Sequence, residues 1–499
     1  MAYTPTKKER EVIEMVNGRL EKMKRKRRNY ERDWNDADKQ YQMYRTNRPK
    51  DEWRADLKLP DTFSVIEAAL AEMVDQSPGI VYRPRESGDV ERADKLQKIF
   101  EFTWEKGNGD IELLKFMKDT LIYGTAIGEE YWRQDLVEHK ELEDFDLEKF
   151  EPKSWKKREK IEFEDCYFES ISIWSFYVDP MADSLETARD CAKVLIMTKD
   201  DFQKKYKRYP KSEKVSKGSS AIYKPEWFKP VGNMDDDEIE VIHYYNKADD
   251  LYLVIANGIL LTKSDNPIPY KHKDFPFVRA VDVVLPHSFY GLGEPKIMKH
   301  LQDERNTIRN MRLDTTHLNI QKQYIVDDRL ELDDEDLIAR PHGIIRGPLD
   351  SISVVPQSTI HPEAYREEEL INDDIIKATG IDIRMQSLEG KGDTATEVAI
   401  LKESALKRIR LKLRVLEKTA LYRLGRLRLA NIQQFYSIPV IKKVLGEKGK
   451  EEVETFRNVG FKHPKGSYEW FTARPGDITG EYDVVVIANG ILLTKSDNP

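Results

Sequence analysis

The chain has 499 residues, 39% apolar and 34% charged, so it can bury several cores while keeping an unusually charged surface. A formal net charge of -8 excludes a free-standing electrostatic nucleic-acid binder, and only two cysteines, Cys166 and Cys191, exclude a disulfide framework. The start MAYTPTKKEREVIEMV has no apolar signal core and no apolar run of about 18 residues occurs, so the expectation is a cytosolically made protein without a membrane span.

Residues 5–49 predict an amphipathic helix with Val12, Ile13, Val16, Leu20 and Met23 on one side. Its basic run, Lys22 with 24–28, reads either as a solvated face or as a contact for nucleic acid or an acidic partner. Asp61 or Thr62 caps a second helix, whose stripe is Val65, Ile66, Ala69, Leu70, Met73 and Val74. A short strand over 80–83 and helices over 89–106 and 110–123 follow. From Thr125 the period becomes strand-like, over 125–132 and again over 160–180, where Asp179-Pro180 marks a turn. The Lys-rich interval 203–233 reads as a surface loop or local insertion. Strands return at 238–246, 251–262 and 276–285; helices followed by antiparallel strands predict an α+β fold.

Gly291 and Gly293 predict a turn that opens a long helix, Glu294–Ile320. A compact, Pro/Gly-punctuated, strand-like segment over 324–361 then separates it from a helix over 362–378. After a loop at 387–394 comes a basic stretch, 394–434, with no Pro and a single Gly, Gly425. Its apolar residues Val398, Leu401, Ala405, Ile409, Leu413, Leu416, Ala420, Leu424 and Leu427 mark one helix face, and at 1.5 Å per residue it would run roughly 60 Å. It carries ten Lys/Arg against three Glu, which segregates positive charge onto one strut of an acidic chain.

Catalytic patterns are missing. The stretch 390–394, GKGDT, lacks Walker A spacing, and Gly291-Leu292-Gly293 has no third glycine at dinucleotide spacing. There is no G-x-S-x-G and no H-E-x-x-H. The acidic clusters 235–238 and 333–336 lack the alternating ligands and glycine of a calcium loop. The reading is a protein that is not an enzyme and holds no cofactor or metal.

Five segments then carry a resemblance: TLIYGTAIGEEYW (120–132), ISIWSFYVDPMA (171–182), FYGLGEPKIMKHLQDERN (289–306), TGIDIRMQSLEGKGDTATEVAILKESALKRI (379–409) and GDITGEYDVVV (476–486). In this order, around paired helices that bracket a small segment, the chain resembles the portal proteins of tailed bacteriophages, the head-to-tail connectors. The resemblance implies a ring of about twelve subunits around an axial channel. It implies a mixed wing domain over 1–290, a first stem helix over 291–322, a small α/β clip over 323–361 and a second stem helix over 362–384. A tunnel loop over 385–395, a long kinked wing helix over 396–449 and a C-terminal crown-side region over 450–499 complete it. The implied partners are other copies of the chain, the major capsid protein, the terminase large subunit, a head-tail adaptor and double-stranded DNA passing through the channel. The implied place is the portal vertex of the virion, after assembly in the host cytoplasm.

Within that frame Glu389, Gly390, Lys391, Gly392 and Asp393 form the tunnel loop, with Lys391 as a transient phosphate contact; a plain linker stays open as the other reading. Glu367, Glu368, Glu369, Asp373 and Asp374 face the lumen or a neighbouring subunit, or simply suit the helix dipole. Asp327, Asp328, Glu331, Asp333, Asp334, Glu335 and Asp336 form a docking face on the clip. Lys402, Lys407, Arg408, Arg410, Lys412 and Arg414 form an inter-subunit basic helix. The rivals are a head-tail adaptor or tail-tube protein, which would be shorter; a terminase motor, which would need a nucleotide loop; and a host nucleic-acid-binding scaffold using the basic N-terminal helix.

VIANGILLTKSDNP occurs at 254–267 and again at 486–499, letter for letter. Two identical copies do not fit an architectural repeat, which diverges and recurs at a fixed period, so the second copy reads as a recombination scar or an assembly error.

Overall fold

The computed structural model describes residues 5–44, 54–75, 79–84, 90–146, 151–216, 238–320, 324–326, 352–354, 363–381, 407–435, 440–445, 455–457, 468–473 and 482–487. Its elements run α1 (Lys7–Tyr41), α2 (Asp61–Asp75), β1 (Gly79–Pro84), α3 (Val90–Lys106), α4 (Gly109–Tyr123), β2 (Thr125–Asp146) and β3 (Glu151–Ile171). Next come β4 (Phe176–Val178), β5 (Asp190–Thr198), α5 (Lys199–Tyr206), β6 (Glu238–Asn246), β7 (Leu251–Ala256), β8 (Ile259–Leu260) and β9 (Phe277–Val281). Then α6 (Glu294–Ile320), β10 (Tyr324–Val326), β11 (Ile352–Val354) and α7 (Glu363–Thr379) precede the helical stretch 407–435. Last are β12 (Val440–Leu445), β13 (Thr455–Arg457), β14 (Tyr468–Ala473) and β15 (Tyr482–Ile487). This is a mixed α+β protein. It divides into two compact units: Met1–Ala37, Ile66–Glu294 and Thr394–Pro499 form the first, Asp38–Val65 and Pro295–Asp393 the second.

The first unit centres on an antiparallel meander, β4-β5-β6-β7-β8. Strand alternation sorts its side chains onto two faces. One face puts Ala192, Val194, Ile242, Tyr244, Leu253 and Ile255 against Ile13, Val16, Leu20 and Met23 of α1. The other puts Ile239, Val241, Val254 and Ala256 against Phe202 and Tyr206 of α5. The α1 stripe thus lies where the sequence placed it, but its basic run is not wholly solvated. Arg27 is buried over the Tyr177 ring, 3.8 Å from its centroid, and donates to the carbonyls of Trp174 (2.7 Å) and Phe176 (3.1 Å). Both cysteines are free and buried.

Four sequence expectations change. The strand over 125–132 is only the base of a long β2–β3 hairpin, paired from Ile127↔Ile171 out to Asp146↔Glu151. Ladder pairing joins backbone to backbone and needs no apolar alternation, so the charged interval gave no strand signal. The single strand over 251–262 is a hairpin: Asn257 and Gly258 take φ of 42° and 78°, the pair of positive values that a tight two-residue turn demands. Part of the Lys-rich interval packs into the core through Tyr206 and Val215, while 217–237 lies outside the described residues. The helix expected over 396–449 is described from 407, takes one π-helical turn at Glu417–Leu421, and ends at Phe435. Past Pro439, which disfavours helix, Val440–Leu445 is the central strand of a β13-β12-β14 sheet.

The second unit contains α6, α7, the β10–β11 pair and, unexpectedly, Asp38–Val65, which the sequence reading assigned to the N-terminal region.

Candidate functional site

In the second unit, α6 carries a polar ladder at spacing four: Gln302, Asn306, Asn310 and Asp314. An extended strap, residues 54–60, runs antiparallel to it. Asp314 Oδ1 accepts from the Ala55 amide (2.6 Å), Asn310 Oδ1 from Leu57 (2.8 Å) and Asn306 Oδ1 from Leu59 (2.9 Å). Asn310 Nδ2 and Gln302 Nε2 donate back to the carbonyls of Leu57 and Leu59. Four helical residues rise about 6 Å and two strand residues about 6.6 Å, so the two periods nearly coincide. Sequence reasoning missed this ladder; four amide or acid side chains at i, i+4 on one helix were the available signal.

Against α6 lies α7, with Ile371, Ile375 and Thr379 buried. The five carboxylates assigned to its acidic side do not act as a set. Glu368 is turned onto α6, 2.5 Å from Arg312 and within 3.8 Å of Arg305 and Arg309. Glu367, Glu369, Asp373 and Asp374 are exposed, with Asp374 beside Lys377 at 2.9 Å. Burial raises the Asp61 carboxyl above its ordinary pKa, although Arg305 donates to it at 2.7 Å.

In the first unit, the chain approaches α6 through a glycine seam. Gly124 has φ of 76°, and a Cβ on Gly291 or Gly293 would fall under 3 Å from backbone atoms of the 122–124 turn. Asp282 donates its amide to the Gly124 carbonyl at 3.1 Å, and Val283 and Leu292 exchange backbone bonds. Beside the seam, Lys412 contacts two buried carboxylates, Asp282 at 2.6 Å and Glu294, the first residue of α6. Two acids share one ammonium. Burial pushes the Asp282 carboxyl up to about 7, further raised by Glu294 and opposed by Lys412.

Lys412 is therefore a correction: its charge is engaged inside its own chain, not presented with the other basic residues. The cause is helix phase, since Lys412 precedes the buried Leu413 and lies toward that apolar face. Lys407, Arg408, Arg410 and Arg414 are exposed. Ile409, Leu413, Leu416, Ala420, Leu424 and Leu427 are all buried, as their spacing predicted. Further along, Arg428 is fully buried, makes two hydrogen bonds to Glu130 (2.8 and 2.9 Å) and lies over Trp104.

Lys402, the stripe residues Val398, Leu401 and Ala405, the loop residues Glu389, Gly390, Lys391, Gly392 and Asp393, and the acidic set Asp327, Asp328, Glu331, Asp333, Asp334, Glu335 and Asp336 lie outside the described residues. Among the described residues no group of three or more potential metal ligands is found. No described helix is long and apolar enough to cross a membrane.

A mixed meander unit, and a second unit in which two helices flank a small strand pair, place the chain in the portal class of phage structural proteins. The family model described as phage SU10 portal protein matches residues 136–449, and the chain belongs to that family. A second model, phage P22-like portal protein, matches residues 19–251. No curated protein matches the chain.

Proposed function

We propose that copies of this chain close into a ring of about twelve at one capsid vertex, through which double-stranded DNA is packaged and later ejected. The single observation that carries this reading is the family match over 136–449, which spans α6, β10, β11 and α7. In this reading α6 and α7 are the stem, the segment between them is the clip that docks the terminase large subunit and later a head-tail adaptor, and the first unit is the wing. The major capsid protein meets the ring at the vertex.

A duplex must slide, so its channel should not hold phosphates in strong cation contacts. The exposed carboxylates Glu367, Glu369, Asp373 and Asp374 suit a lumen wall or a neighbouring stem, whereas Glu368 braces its own helix pair. Lys391 is the loop's transient phosphate contact. Electron microscopy of the purified protein tests the reading: rings with a central hole are expected, and uniform monomers or filaments would overturn it. With rings in hand, Lys391→Glu should slow DNA packaging without impairing assembly.

A further inference from the structure

Helix phase divides the basic run of α1. The stripe that faces the meander, Ile13 to Met23, continues one turn later in the buried Arg27, to which Glu31 is paired at 2.8 Å. Lys22, Arg25 and Arg32 lie opposite that stripe, with Lys26 and Arg28 flanking them. All five are exposed, and among the described residues none forms an ion pair. Over 21–32 there are seven cations and two acids, and each acid is matched on its own helix, Glu31 by Arg27 and Glu21 by Lys24 at 3.4 Å. Five positive charges therefore stand uncompensated on about 15 Å of helix. The patch is bounded. Glu11 and Glu14 are exposed on one side of it, and the half-buried Asp33 and Asp36 follow on the other.

What such a face can hold follows from what it lacks. Apart from Gly18, every exposed residue from Asn17 to Arg32 is charged or carries an amide. Protein interfaces take most of their energy from buried aromatic and apolar anchors, and this face offers none. The cationic face of 407–435 differs, because it exposes Leu411 and Tyr422 among its bases. Nor has α1 an apolar side left to insert into lipid, since that side is buried against the meander. A phosphate backbone asks for no apolar anchor; cations that displace its counterions suffice. A minor groove is about 6 Å wide, so a patch about 15 Å long reaches phosphates of both strands. Three of the five cations are arginines, whose planar fork takes phosphate oxygens in pairs. Arg27, fixed to the carbonyls of Trp174 and Phe176, holds the row in place before a duplex arrives.

We propose that the outward face of α1 from Lys22 to Arg32 binds the phosphate backbone of duplex DNA without regard to sequence. The proposal goes beyond the channel reading: a channel must let phosphates slide, whereas five unpaired cations hold them. In a chain of net charge -8 one such patch binds weakly, and copies held together add their contacts.

Fluorescence anisotropy of the full-length protein with labelled duplexes of two unrelated sequences tests this. Both should bind alike, with affinity falling steeply between about 50 and 200 mM salt. Arg25→Glu with Arg28→Glu should lower affinity about tenfold at low salt and flatten the salt dependence by about two contacts. Arg25→Gln with Arg28→Gln, a milder change at the same exposed positions, should give a smaller loss of the same kind. Lys418→Glu with Arg426→Glu alters net charge as much as the first pair and should leave binding nearly unchanged. A wild-type chain that binds no duplex at about 50 mM salt overturns the proposal. Equal loss in the Lys418/Arg426 variant also overturns it, since net charge and not this face would then be responsible. Polyglutamate that displaces the duplex as effectively, charge for charge, as unlabelled DNA would assign the face to an acidic protein and overturn it. Electron microscopy in parallel keeps the ring reading separate: ring yield should be the same in the Arg25/Arg28 variants. Rings lost together with DNA binding would make the face a subunit contact and overturn the proposal. Wild-type protein that forms no rings overturns the ring reading, and duplex binding by the single chain still decides this one.

Discussion

The two ends of the helical stretch 407–435 each bury a cation, and they are balanced differently. At one end Arg428 faces one carboxylate, Glu130, through two hydrogen bonds between aromatic side chains. At the other, Lys412 faces two carboxylates, Asp282 and Glu294, whose remaining oxygens are largely unpartnered. A matched buried pair is costly to break, because either survivor is left charged without a partner. The unmatched trio has a cheaper escape: one acid can take up a proton. One helix is thus held at one end by a contact that should ignore neutral pH and at the other by one that responds to it.

The largest effect expected is at the matched end. Arg428→Met should lower unfolding free energy by about 3–5 kcal/mol in urea titrations, since Glu130 would stay buried alone. At the unmatched end the effect should depend on pH. The folded chain holds the Asp282 proton to about 7 against an ordinary 3.8, so this site's contribution to stability should fall as pH rises between those values and level off above. Asp282→Asn should flatten that slope by about 1–2 kcal/mol in melts run from pH 5 to 8.5. Lys412→Met should cost most at high pH and progressively less as Asp282 becomes protonated. A slope of equal size in both proteins would show that the proton resides elsewhere. The smallest effect concerns the other unit: Asn310→Ala should cost about 1 kcal/mol and speed hydrogen exchange at the Leu57 amide, leaving the pH slope untouched.

Much of this arrangement was readable in the residues, but unevenly. The apolar stripes of α1 and 407–435 were legible because helical burial is periodic, and every tested stripe position except Val12 and Val74 is buried. The hairpin at Asn257-Gly258 was legible in principle; two flanking apolar runs masked the turn as one strand. The outer β2–β3 ribbon was not, because its ladder leaves no hydrophobic pattern. Nor was the fate of individual charges. Arg27, Lys412 and Arg428 look like members of solvated basic runs, and only the long-range approach of Tyr177, Asp282 and Glu130 turns them inward. The same limit holds for the repeated letters: Val254-Ile255 pairs with β6, while Val486-Ile487 pairs with β1. Strand identity there comes from the partner, not from the local word.

The strap on α6 sets its own length. Each rung gains a little over half an ångström of strand on helix, so after four rungs the two scales are about 2 Å apart. The ladder stops at Leu59: the next rung would fall at Asp61, where α2 begins, and Gln302 turns instead to the Leu59 carbonyl and the Thr62 hydroxyl. Like a vernier, the contact has one alignment at which its marks meet, and inserting or deleting a single residue between Ala55 and Leu59 would turn the amides on one side of the change away from their partners on α6.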